Sequence, residues 1–82
     1  MQQHSEVVIA NHSSGVIVAR DDDGACAVLE LIKGDMPRIG GHLDGNVNSI
    51  GVEDLLLDRT ATLSVFVHAY DCSLEAVREE VG

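Results

Sequence analysis

Short runs of β-branched residues, each followed by a turn signal, limit most strongly what this chain can fold into. "EVVIAN" (residues 6–11) and "GVIVAR" (15–20) are separated by a short polar segment, and Asp23-Gly24 follows soon after. Val and Ile fit pleated sheets, and Asp-Gly favours a type I′ turn in which both central residues have positive φ. The pattern predicts two strands, or one strand bent at residues 13–15, followed by an antiparallel hairpin.

Two later segments alternate with a period of two residues. "ACAVLELI" (25–32) is largely apolar on both faces, which is typical of a strand in the middle of a small barrel or under a helix. "ATLSVFVHAYD" (61–71) is the cleanest strand signal in the chain. Its face predicted to point inward carries Leu63, Val65, Val67 and Ala69.

A glycine-rich stretch, "KGDMPRIGGHLDG" (33–45), contains four of the eight glycines and the only proline. Neither GxxxxGK[ST] nor GxGxxG is present, which disfavours a phosphate-binding loop. Ile39, Gly41 and Leu43 alternate as an inward face after a turn. The stretch therefore predicts a strand that bends strongly at Gly40 and Gly41, where side chains of a crossing strand come close.

The remaining segments carry helical signals. Residues 46–60 include apolar side chains at helical spacing, which predicts one or two helical turns there. Ser73 is positioned to cap a short helix whose apolar stripe comprises Leu74, Val77 and Val81.

Together these segments predict a mainly β protein that forms one domain over residues 1–82. The expected architecture is a small closed or partly open five-stranded antiparallel barrel with a short C-terminal helix. An OB-like barrel is the first expectation for its type, and an SH3-like barrel is the second.

The order of the parts resembles the OB-fold, including cold-shock-like proteins. The resemblance rests on "GVIVAR" followed by an acidic hairpin, and on Gly34-Asp35 leading into the glycine-bent segment, and it spans residues 6–71. It implies binding of single-stranded nucleic acid or oligosaccharide on one face of the sheet. Cold-shock-like proteins place several aromatic residues on neighbouring strands two and three, where this chain has none, so the family's binding residues cannot be transferred to it.

The charge balance limits the choice of partner. Lys and Arg number 5 and Asp and Glu number 14, which gives a net charge of -9 at pH 7 with neutral histidines. Binders of nucleic acid and of anionic membranes rely on Lys and Arg to meet phosphates. Nucleic acid is therefore disfavoured as a partner, and no membrane partner is expected because the apolar runs are also shorter than the roughly 18 residues of a membrane span.

The cellular compartment follows from the N-terminus and the cysteines. The start "MQQHSE" lacks the basic and apolar segments of a secretory signal, so either no signal exists or the chain is already processed. Cys26 and Cys72 have no CxxC spacing, so they form neither a disulfide framework nor a zinc signature. We expect a cytoplasmic protein with reduced thiols, at least one of them buried.

None of the polar clusters has the spacing of a metal site or a catalytic site. The four histidines, His4, His12, His42 and His68, lack the local spacing that brings metal ligands together, so we predict surface histidines and no metal or cofactor. Residues 21–23 lack the alternating pattern of an EF-hand loop. The adjacent His and Ser residues at 12–14 do not suggest a catalytic triad, whose members converge in space. The chain is predicted not to be an enzyme.

The outward face of the last long strand is the strongest candidate site. It carries Ser64, Phe66, His68 and Tyr70 at period two, and these four residues are called the aromatic strip. In one interpretation the C-terminal helix covers Phe66 and Tyr70 to complete a second cluster. In the other, the strip is a binding surface for a base, a sugar or a partner protein.

The main functional hypothesis is a non-catalytic binding module for a protein partner or for a second copy of the chain. The expected partner surface is basic or apolar. The alternative is a single-stranded nucleic-acid binder in which the aromatic strip stacks on bases and Arg20, Arg38 or Arg59 contact phosphates.

Overall fold

Six antiparallel strands close into a barrel, and a short helix follows the last strand. The computed structural model describes residues 3–81, with side chains as far as residue 77. The elements are β1 (His4–Asn11), β2 (Val16–Asp21), β3 (Cys26–Lys33), β4 (His42–Asp44), β5 (Gly51–Leu57), β6 (Ala61–Cys72) and α1 (Leu74–Val81). The strand order around the barrel is β1-β2-β3-β6-β5-β4, with β4 also paired to β1.

This architecture confirms the predicted closed antiparallel barrel with a short C-terminal helix. The strand count differs from the expected five, because the three-residue β4 pairs with β1 on one side and with β5 on the other. The additional strand completes the closure of the barrel between β1 and β5.

Local side-chain contacts explain the first two turns. The Asn11 side chain accepts the N–H groups of Ser13 (2.9 Å) and Ser14 (3.3 Å), so β1 and β2 are two strands rather than one bent strand. In the second turn the Asp21 carboxylate accepts the N–H groups of Asp23 (2.9 Å) and Ala25 (3.0 Å).

The second hairpin forms at the predicted Asp-Gly, although its turn is not type I′. Gly24 has a φ of 87°, whereas Asp23 is not among the residues with positive φ. The Asp21 N–H donates to the Ala25 carbonyl (2.9 Å), so the connection has three residues rather than two. The Asp21 carboxylate stabilises this longer turn, which needs positive φ only at the glycine.

The barrel interior is filled by aliphatic side chains. The inward alternation of β6 is confirmed at Leu63, Val65 and Val67, each 1% exposed or less. Burial of an aliphatic side chain of this size stabilises a fold by roughly 1.5–3 kcal/mol. The cluster comprises Val7, Ile17, Ala19, Ala27, Leu29, Leu43, Val47, Leu55, Leu63, Val65 and Val67.

Helix α1 covers a second apolar cluster on the outside of the barrel. The Ser73 hydroxyl accepts the N–H of Ala76 (3.2 Å), which confirms the predicted cap. Val77 is 4% exposed and packs with Val18 and Cys26. Leu74 packs against the same cluster, so the first half of β3 is covered on both faces, whereas Ile32 near the end of the strand is 55% exposed. The Val81 side chain lies outside the described residues.

The glycine-rich stretch differs from its prediction, since most of it is a connection rather than a strand. Ile39 was expected to point inward but is 69% exposed. Gly40 has a φ of 92°, and its N–H donates to the Val7 carbonyl (2.7 Å), while the Val7 N–H donates to the Gly41 carbonyl (2.8 Å). These bonds hold a glycine turn against β1, and the strand begins only at His42.

The close approach predicted at Gly41 is present. A Cβ atom at this position would lie 3.0 Å from the Arg38 carbonyl oxygen and 3.3 Å from Leu57 Cδ1. Gly40 has open space instead, with no heavy atom within 4 Å of such a Cβ. Only the second glycine of the pair is therefore required by crowding.

The predicted helical turns within residues 46–60 are wrong, because residues 51–57 form β5. This strand pairs with β6 along its whole length, from Gly51 opposite Val67 to Leu57 opposite Ala61. The apolar residues that suggested a helix are divided between the two faces of the strand. Leu55 points into the core, whereas Val52 is 62% exposed on the outside.

In the part of the chain that the structure describes, no helix has the length and apolar character needed to cross a membrane.

Candidate functional site

Cross-strand pairing places most of the aromatic strip in the middle of a three-stranded outer surface. Phe66 on β6 pairs with Glu30 on β3 and with Val52 on β5. Ser64 pairs in the same way with Lys33 and Asp54. We call this surface the β6 face and define it by Ile32, Val52, Ser64, Phe66 and His68.

The apolar part of the β6 face is open to solvent. Val52 is 62% exposed and Ile32 is 55% exposed, while Phe66 between their strands is partly buried. The Phe66 and His68 rings lie 4.8 Å apart between centroids and are tilted by 52°. The barrel core is complete without these side chains, so their apolar atoms are available for contact with another molecule.

Hydrogen bonds hold the polar side chains at the margin of the β6 face. The Ser64 hydroxyl donates to Asp54 Oδ1 (2.7 Å), and His68 Nε2 lies 2.9 Å from Glu30 Oε1. These bonds join β6 to β5 and to β3 respectively. The arrangement leaves an apolar centre with acidic groups beside it, which can bind a complementary surface.

Tyr70 does not lie with the other three residues of the strip. Leu29 pairs with Val67 and Val28 pairs with Ala69, so His68 is an extra residue in β6 at a bulge. A bulge interrupts the alternation of a strand, and the residues beyond it change faces. Tyr70 is 42% exposed and lines a separate surface pocket beside the β2–β3 turn.

The same bulge overturns the predicted inward position of Ala69. This residue lines an outer pocket beneath α1, together with Val28, Cys72, Ala76 and Val77, and is absent from the interior cluster.

The apolar cluster under α1 includes neither Phe66 nor Tyr70. Its members besides the helix residues come from β1, β2, β3 and the end of β6. Leu74 and Val77 therefore cover neither aromatic residue, in contrast to the interpretation in which the helix covers both. Phe66 is partly buried, and its cross-strand neighbours are Glu30 and Val52.

A second polar cluster, which the sequence did not reveal, lies on the opposite side of the barrel. His4 Nδ1 is 3.0 Å from Asp44 Oδ1, and His4 Nε2 is 3.1 Å from His42 Nδ1. Because the Asp44 carboxylate accepts a bond from Nδ1–H, Nε2 of a neutral His4 accepts one from His42. The two imidazole rings stack with centroids 5.0 Å apart.

This Asp–His–His chain and the residues beside it connect β4 to β1 and to the turn after β5. Arg59 Nε lies 3.8 Å from Asp44 Oδ2, and the His42 N–H donates to Asp58 Oδ1 (2.9 Å). Asp58 and Arg59 have positive φ values of 49° and 62°, which are costly for residues other than glycine.

Among the described residues no group of three or more His, Cys, Asp or Glu side chains is placed to hold a metal ion.

The arginines proposed to contact phosphates do not surround the aromatic residues. Arg59 pairs with Asp44 near β4, and Arg20 lines a pocket with Asp21 and Asp22 at the end of β2. Arg38 is exposed in the β3–β4 connection. The described arginines are thus dispersed and lie partly against carboxylates.

Comparison of the chain with protein-family models, with curated proteins and with solved structures found no match.

Proposed function

We propose that this protein is a non-catalytic binding module that engages another protein through the β6 face. The observation that carries the proposal is the apolar group on the outside of a barrel whose core is already full, in which Ile32 and Val52 are exposed and Phe66 is partly buried. Apolar centres with polar margins are typical of protein interfaces. The strands on this face are also fixed by pairing on both sides, so the surface is preformed.

The partner has an apolar centre with basic groups around it. The β6 face is bordered by the carboxylates of Glu30 and Asp54 and by the ammonium group of Lys33. The whole chain has a net charge of -9. Two copies of the chain therefore repel each other, whereas a basic partner is attracted, so we favour a different protein over self-association.

The partner contacts side chains rather than adding a strand. The six described strands form a closed barrel in which each strand pairs with two neighbours. Strand addition needs an exposed sheet edge, and closure of a barrel removes such edges. Binding energy then comes mainly from burial of the apolar centre, with the acidic margin setting orientation and salt dependence.

Single-stranded nucleic acid is the less favoured ligand. A stacking platform would require several aromatic rings on one surface together with cations for the phosphates. Tyr70 lies apart from Phe66 and His68, and the His68 ring contacts the Glu30 carboxylate. These features support a protein ligand.

We also propose a cellular location for the protein and a structural relationship to OB-like barrels. A cytoplasmic location is supported by the two free cysteines. Kinship with OB-like barrels is supported by the meander from β1 to β3, in which the third strand pairs with the last one.

The test compares two substitutions at similarly exposed apolar positions. Val52→Asp changes a residue of the β6 face that is 62% exposed, and Ile39→Asp changes a residue that is 69% exposed beside β1 on the other side of the barrel. The parent and both variants are immobilised and exposed to cell extract, and each captured protein is then purified and titrated. We expect a salt-sensitive partner whose Kd rises by about tenfold or more with Val52→Asp and is unchanged with Ile39→Asp.

Several outcomes contradict the proposal. Equal loss with both variants indicates non-specific adsorption, and retention with Val52→Asp places the interface elsewhere. Sedimentation of the parent as a dimer that Val52→Asp dissociates would replace the partner protein with a second copy of the chain. Tight, salt-sensitive binding of a mixed single-stranded oligonucleotide would favour the nucleic-acid alternative.

A further inference from the structure

The fold brings together two cysteines that are distant in the sequence. Cys26 on β3 lies directly opposite Cys72 at the end of β6. Directly opposite residues of antiparallel strands have Cα atoms about 4.5–5.5 Å apart, which lies within the range of about 4.4–6.8 Å that disulfides span. Both thiols are free, and both side chains belong to the apolar cluster under α1, so they lie on the same side of the sheet.

The β6 backbone is irregular where this pairing occurs. Val28 pairs with Ala69, and the next pair is Cys26 with Cys72, so β6 has an additional residue between the two pairs. Asp71 is one of the two β6 residues between these pairs, and its φ of 55° accommodates the additional residue. The bulge thus aligns Cys72 with Cys26, an alignment that regular pairing from Ala69 would not produce.

The two thiols differ in access to solvent and in reactivity. Cys26 is 1% exposed, and its burial raises the pKa of its thiol, although nearby Arg20 opposes the effect. Cys72 is partly exposed and borders an outer pocket of about 200 Å³. Its Sγ donates weakly to the Tyr70 carbonyl at 3.3 Å. A small molecule in solution therefore reaches Cys72 before Cys26.

We propose that Cys26 and Cys72 are a reversible disulfide site that reacts with low-molecular-weight disulfides. The Cys72 thiolate attacks one sulfur of the small disulfide, which forms a mixed disulfide and releases one small thiol. Cys26 then loses its proton to solvent and attacks Cys72 Sγ, which forms the internal bond and releases the second small thiol. The two protein thiols are oxidised, and one small disulfide is reduced to two thiols.

The bond would join β3 to the end of β6, where helix α1 begins. Cys26 lies beneath α1 with Val18 and Val77, whereas Cys72 ends β6 immediately before the helix cap at Ser73. Disulfides in reducing compartments are usually transient and redox-sensing. A reversible bond here would couple the redox state to the stability of the α1 end of the barrel, whether or not the β6 face binds a protein.

The test uses oxidised glutathione with the folded, reduced, full-length chain. Mass spectrometry follows the parent, Cys26→Ala and Cys72→Ala after quenching with acid. The parent is expected to pass through a glutathione adduct at Cys72, located by peptide mapping, and to finish lighter by two hydrogens as a monomer. Cys26→Ala should stop at the adduct. Cys72→Ala should react at least about tenfold more slowly than the parent, because Cys26 is buried.

A melting curve of each variant checks that it is folded, and the course of the parent's reaction provides a test that needs no variant. Thermal melting of the oxidised parent should occur at a higher temperature than that of the reduced parent, with full reversal by dithiothreitol. A parent that retains glutathione, forms only intermolecular dimers, or remains unmodified while unfolded chain reacts would overturn the proposal. A first adduct at Cys26 would overturn the proposed order of attack.

Discussion

Replacement of Gly34 by Ala tests the close contact between the end of β3 and the start of β6. A Cβ at Gly34 would lie 2.8 Å from Leu63 Cδ2 and 3.1 Å from the Thr62 carbonyl oxygen, and the φ of this residue is +109°. Gly51→Ala is a matched control, because Gly51 has a φ of +130° and a Cβ there would meet no heavy atom within 4 Å. Both variants carry backbone strain of about 1–3 kcal/mol.

Only Gly34→Ala also forces an atom into occupied space. Leu63 is 1% exposed, so its methyl group cannot move without disturbing the core, and the Thr62 oxygen is part of the backbone. Overpacking of this kind costs about 1–3 kcal/mol in addition to the strain. In a domain of this size each kcal/mol lowers the melting temperature by about 4–8 °C. Thermal melts of the two variants should differ accordingly, and equal melts would refute the packing described at this end of the barrel.

Three further predictions concern stability. Gly41→Val should lower the free energy of unfolding by about 1–3 kcal/mol, because even a Cβ is crowded there, and an unchanged thermal melt would show that the site is open. Phe66→Ala should cost about 1–2 kcal/mol, less than the roughly 3–5 kcal/mol of a fully buried ring, while Tyr70→Ala melts like the parent. A loss from Phe66→Ala as large as that from deletion of residues 74–82 would restore the interpretation in which the helix covers the ring. The raised pKa of Cys26 stabilises the folded chain below the pKa of an unfolded thiol, about 8.5, and this stabilisation is lost as pH rises through the folded value. Chemical denaturation from pH 7 to 10 should therefore show a steeper loss for the reduced parent than for Cys26→Ala, and parallel curves would contradict the cause given for the shift.

The alternation of β6 was predictable where one face must fill the barrel. Leu63, Val65 and Val67 are buried as expected, since a slip of one residue would expose all three. Alternation gave no warning of the bulge at His68, because Ala69 is small enough for either the core or the outer pocket. The sequence therefore predicted the position of Phe66 on the outer face but not the separation of Tyr70 from it.

Tertiary pairing determined the two segments whose structure was wrongly predicted. Val52 and Leu55 are three residues apart, a spacing that fits a helix but also fits the two faces of a strand. Pairing with β6 along its full length decides in favour of the strand. In the glycine-rich stretch, the bonds between Val7 and the Gly40-Gly41 turn involve residues too distant in sequence for a local pattern to reveal.

The polar and cysteine pairs were inaccessible to local analysis for the same reason. His4 and His42 meet only because β1 pairs with β4, and Cys26 meets Cys72 only because β3 pairs with β6. Neither pair has a spacing that identifies it along the chain. The burial of at least one cysteine was nevertheless predicted and is confirmed at Cys26.

Chemical-shift mapping of the partner complex tests the central claim most directly. The labelled parent chain is titrated with the purified protein that it captures, and backbone amide and methyl signals are followed to saturation. We predict that the largest changes occur at Ile32, Val52 and Phe66, with signals of Ile39 and His4 on the other side of the barrel unaffected. Changes centred on Ile39 or His4, with a silent β6 face, would contradict the assignment of this face as the binding surface.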